Sequence, residues 1–119
     1  FNSLYGILRE EKKTRTLQKL PEKFYEGLKS FLEHKQTEIK KLKENKESDR
    51  LSREMRVYKN SKKIIEELVV ARLTKISAVA IRTSFYGDDN PISDDILDVE
   101  SLFFDDITKS SKSVKRATI

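Results

Sequence analysis

A chain of 119 residues has room for one domain of ordinary size and little more. Charged residues make up 38% of it, against roughly 25% in an average soluble domain, and the formal charge is +5. No cysteine and a single histidine, His34, exclude disulfides, thiolate metal sites, cysteine nucleophiles and a two-imidazole zinc site. Three glycines and two prolines are too few for a turn-rich all-β fold.

The first segment, Asn2 to Lys12, reads as a short helix with Leu4, Tyr5 and Leu8 on one side. A connector from Thr14 to Leu20 leads to Pro21, which suits a first helical turn because its missing N–H costs nothing there. From that point Phe24, Tyr25, Leu28, Phe31, Leu32, Ile39 and Leu42 recur at three- and four-residue steps, which predicts an amphipathic helix fraying near Asn45. Gly27 inside it costs about 1 kcal/mol against alanine, so a close neighbour is expected there.

A polar break, Asn45 to Asp49, precedes a second long helix running from Asp49 to Ser84. Its seam is Leu51, Met55, Tyr58, Ile65, Val69, Ile76 and Val79. After Ile64 the apolar face widens to take in Leu68, Val70, Ala71, Leu73, Ala80 and Ile81, and a helix so broadly apolar must be covered on several sides. It is not a membrane span, because Glu66, Glu67, Arg72 and Lys75 interrupt it. Tyr86-Gly87 stops the helix, Asp88 to Pro91 makes a turn, and Ser93 caps a last helix reaching about Ile107. Residues 108–119 have the Ser, Thr and Lys composition of a linker. The expected fold is all-α, an antiparallel helical bundle of two long helices with two shorter ones packed on them, over residues 1–107.

Charge is unevenly placed. Residues 1–83 carry a net of +9, residues 84–108 a net of −8, and residues 109–119 a net of +4. The acids Asp88, Asp89, Asp94, Asp95 and Asp98 do not follow the calcium-loop register: Ser93 stands where that loop needs glycine, and Val99 where it needs glutamate. A turn and a helix start account for them better. No metal, cofactor or small-molecule substrate is expected, and no Gly-rich phosphate loop is present. Among the basic residues from Lys40 to Lys63, Lys43, Lys46, Arg50, Arg53 and Arg56 are the candidate nucleic-acid contacts. Glu44, Glu47, Asp49 and Glu54 interleave with them and no aromatic platform accompanies them, which favours a solvated helical surface.

Arg72 stands out. Its three- and four-residue neighbours are Leu68, Val69, Lys75 and Ile76, so no carboxylate of its own helix can pair with it. A guanidinium on an apolar helix needs a partner from elsewhere. The candidates are Glu10 or Glu11 of the first helix and the acidic segment.

Two stretches in this order resemble the GINS family. LQKLPEKFYEGLKSFL, Leu17 to Leu32, is similar to the start of the first long helix in GINS subunits; YKNSKKIIEELVVARLTKISAVAI, Tyr58 to Ile81, is similar to their later helix. The order resembles the archaeal subunit type with a helical domain first and a small β domain second. The resemblance implies a non-catalytic member of a hetero-tetramer that joins the MCM helicase ring to a RecJ-like partner at the replication fork, inside the cell and at most weakly on DNA. By position, Leu20, Pro21, Phe24 and Tyr25 would set the helix start and its packing. Ile65, Leu68, Val69, Arg72, Ile76 and Ala80 would form the core and the subunit-facing helix. Residues 108–119 would then lead toward a β domain that this chain does not include. The alternative is a nucleic-acid-binding helical module using the Lys40–Lys63 stretch.

Overall fold

The computed structural model describes residues 2–87 and 93–119, with side chains from Leu4 onward. Its described elements are four helices: α1 (Asn2–Lys13), α2 (Phe24–Glu44), α3 (Ser48–Tyr86) and α4 (Asp98–Thr118). The all-α expectation holds, with no strand among the described residues. No helix among them is long and apolar enough to cross a membrane. The chain divides into two compact units, one of Phe1–Arg9 with Lys23–Leu68, the other of Glu10–Glu22 with Val69–Ile119.

In the first unit, α2 and the N-terminal half of α3 form an antiparallel hairpin. Lys35 Nζ meets Glu54 Oε2 at 2.9 Å, and Gln36 Nε2 donates to the Tyr58 hydroxyl at 2.8 Å. The hydrogen bond to Glu54 raises the pKa of Lys35, and the same bond lowers that of Glu54. The turn between the helices is a Schellman motif: Glu47 N–H donates to Leu42 O, Lys46 N–H donates to Lys43 O, and Lys46 takes a left-handed φ of 55°. This polar break lets α2 end and α3 begin within three residues. Leu4, Leu8, Leu42 and Leu68 are the buried aliphatic residues here.

The second unit buries Leu17, Ile76, Ala80 and Leu97. Lys115 Nζ donates to Phe85 O at 2.8 Å, and Ser84 Oγ donates to Thr108 O at 3.2 Å, fastening α4 to the end of α3. Gly87, with a φ of 78°, ends α3 as its sequence position indicates.

Several boundaries differ from the sequence reading. Pro21 is exposed and lies before α2, which starts three residues later at Phe24. Gly27 has no close neighbour, so it needs no packing explanation. Ser93 caps a turn instead of a helix: its Oγ accepts the Asp95 N–H at 3.1 Å, and α4 starts at Asp98. Residues 108–118 are helical, not a linker, and α4 equals α2 in length at 21 residues. The stripe continues along α4 through half-buried Ile107, Thr108, Ser111 and Lys115, whose spacing is helical although their hydropathy is low. The acids Asp88 and Asp89 and the turn through Pro91 lie outside the described residues.

A buried charge cluster around Arg72

The second unit is organised on one guanidinium. Arg72 has no measurable exposure, and Glu11 and Glu100 are equally enclosed. Arg72 Nε and Nη2 grip Glu100 as a fork, at 2.8 Å to Oε2 and 2.9 Å to Oε1. Nη1 donates to Glu11 Oε1 at 2.8 Å and to the Gln18 carbonyl at 3.0 Å. Nη2 makes a second bond, 3.1 Å to the Asp95 carbonyl. All five guanidinium N–H groups are thereby engaged, as a buried arginine requires.

Lys75, one turn along α3, completes the arrangement. Its Nζ donates to Glu11 Oε2 and to Glu11 O, both at 2.6 Å, and to Thr16 O at 2.9 Å. Glu11 also accepts from Gln18 Nε2 at 3.1 Å. Glu100 Oε1 accepts the Leu97 N–H at 2.9 Å, so the same carboxylate closes the first turn of α4. Two cations face two carboxylates and the cluster is formally neutral, which is what makes its burial tolerable.

Burial pushes the Glu11 carboxyl up, but the hydrogen bonds from Lys75, Arg72 and Gln18 outweigh it and hold the pKa below the ordinary value. Burial likewise works against the Arg72 charge, and the bonds it donates to Glu100 and Glu11 reverse that and raise its pKa. Both groups stay ionised at neutral pH.

Of the residues singled out in the sequence, Leu68, Arg72, Ile76 and Ala80 are buried. Leu20, Phe24, Tyr25, Ile65 and Val69 are half-buried, and Pro21 is exposed. The Phe24 and Tyr25 rings pack tilted at 55° with centroids 6.0 Å apart. Lys43, Lys46, Arg50, Arg53 and Arg56 are all exposed. His34 is exposed and pairs with Glu38 within α2 at 2.7 Å. Among the described residues no cluster of histidines and acids could hold a metal ion.

The first-helix partner of Arg72 is Glu11, not Glu10. Leu4, Leu8 and Glu11 lie at helical spacing and are all buried, a signal that separates the two acids. Glu100 had only the general sign of its segment to mark it. The carbonyls of Gln18 and Asp95 carry no sequence signal, because any residue supplies one.

The cluster turns both cations between Val70 and Ile81 inward. What α3 shows to solvent there is Val70, Thr74, Ala78 and Ile81, with Ser77 half-buried among them. Val70 is 63% exposed and Ile81 47%. This face carries no ionised group over about 17 Å, at 1.5 Å per residue, in a chain that is 38% charged. Nearby in the chain, α4 exposes Val99 and Leu102.

Compared with protein-family models, curated proteins and solved structures, the chain matches none of them.

Proposed function

We propose that this chain is a non-catalytic assembly subunit of the GINS type, which scaffolds the MCM helicase and a RecJ-like partner by seating helical surface against neighbouring subunits. The uncharged outer face of α3 between Val70 and Ile81 carries this reading. Interface centres are depleted of charge, and this face is built of Val70, Thr74, Ser77, Ala78 and Ile81, while Arg72 and Lys75 lie on the other side of the helix in the buried cluster. The resemblance of Leu17–Leu32 and Tyr58–Ile81 to GINS helices supports the family assignment. Several such surfaces acting together raise effective concentration without any bond being made or broken.

The test is assembly. Light scattering of the chain mixed with a GINS-type partner subunit should give a hetero-oligomeric mass. The Val70→Glu/Ile81→Glu double variant should remain monomeric with an unchanged melting temperature, because both side chains already face water. A double variant that assembles like the parent chain would refute the proposal.

The second reading, a nucleic-acid contact along α2 and α3, is favoured by the exposure of Lys43, Lys46, Arg50, Arg53 and Arg56. Binding of an oligonucleotide that weakens steeply with added salt would support it; salt-insensitive binding would not.

A further inference from the structure

The hairpin of the first unit carries a groove whose apolar residues neither reading uses, while its Lys43 and Arg56 belong also to the nucleic-acid reading. On α2, Gln36, Ile39, Lys40 and Lys43 fall on one face at positions i, i+3, i+4 and i+7; on α3, Met55, Tyr58, Lys59 and Lys62 repeat the same spacing. Together with Arg56 they line an open groove of about 740 Å³. Its floor is apolar: Ile39, the 45%-exposed Met55, and Tyr58, whose hydroxyl is held by Gln36 at 2.8 Å. Its rim carries Lys40, Lys43, Arg56, Lys59 and Lys62, and no carboxylate lines it. Two acids of the same hairpin are held elsewhere: Glu54 pairs with Lys35 at 2.9 Å and Glu38 with His34 at 2.7 Å.

We propose that this groove binds an acidic amphipathic helix of a partner protein, its apolar residues on Ile39, Met55 and Tyr58 and its carboxylates against the five rim cations. Two antiparallel helices leave a furrow into which a third can lay its ridge. Seven residue steps along each wall give a length of about 10 Å, enough for two turns of a guest helix. Charge complementarity selects the guest. A strand of nucleic acid would satisfy the rim but leave the aliphatic floor uncovered, and the tethered Tyr58 is a single ring without a second stacking platform. Methionine at the centre suits a helix groove, since its unbranched thioether adapts to the guest side chains.

Fluorescence anisotropy on the whole chain tests this. The probe is a labelled peptide of about 15 residues, leucine at alternating three- and four-residue steps and glutamate between. It should bind, and an oligoglutamate of equal length should bind at least ~10-fold more weakly because it cannot use the floor. Met55→Glu and Lys43→Glu should each weaken peptide binding about tenfold or more. Arg53→Glu, exposed and outside the groove lining, should leave it unchanged. Lys43 is exposed, so its variant keeps the test valid even if Met55→Glu unfolds the hairpin. Equal binding of oligoglutamate, equal loss in Arg53→Glu, or an oligothymidylate that binds more tightly than the peptide would each overturn the proposal.

Discussion

Arg72 shows how a single residue sets the character of its surroundings. Its fork on Glu100 and its bond to Glu11 are geometric, so charge alone does not replace them. Arg72→Met takes the cation fork from buried Glu100 and leaves Glu11 to Lys75 and Gln18, and should cost about 3–5 kcal/mol in chemical denaturation. Arg72→Lys keeps the charge but cannot reach five acceptors, and should recover only part of that loss. Glu11 adds a pH signature. Its folded pKa lies below its unfolded value of 4.5, so its contribution to stability is complete above that value and disappears as pH falls through the folded one. Thermal melts should therefore fall steeply on acidification below about pH 4.5, and Glu11→Gln, weaker at neutral pH, should show a shallower acid slope.

At the level of elements, the α2–α3 turn carries a correctable strain. Lys46 occupies the left-handed position at which a Schellman motif favours glycine, and a side chain there costs roughly 1–2 kcal/mol. Lys46→Gly should stabilise the protein by about 0.5–1 kcal/mol after the added freedom of the unfolded chain is subtracted, measurable as a higher denaturation midpoint. The α-helical periodicities of α2 and α3 were plain in the sequence because leucine, isoleucine and aromatic residues mark most of their turns. The length of α4 was not. Its last three turns present Ser111 and Lys115 inward, and Lys115 is held by a backbone carbonyl at the end of α3, so hydropathy reports a linker where geometry makes a helix.

Across the whole chain, the class of fold could be read from composition: too few glycines and prolines for sheets, and abundant lysine, glutamate and leucine. The need for a distant partner to Arg72 was equally legible, since no acid lies three or four positions away on its helix. The partners themselves were only half legible, Glu11 by its register with Leu4 and Leu8, Glu100 merely by the sign of its neighbourhood. Charge is unevenly distributed, +9 before residue 84 and −8 in residues 84–108, and among the described residues Arg72 and Glu100 join the two segments by a buried ion pair.

That bridge also dictates a timetable. Arg72 joins a carboxylate 61 positions earlier and another 28 positions later, while the α2–α3 pair, closed by a three-residue turn, has everything it needs much sooner. As the chain leaves the ribosome the hairpin can settle first, and the guanidinium must wait, hydrated, until the start of α4 emerges. Nascent chains halted before Glu100 clears the exit tunnel should leave Arg72 and the C-terminal half of α3 open to proteolysis, and a few dozen residues further on that vulnerability should vanish.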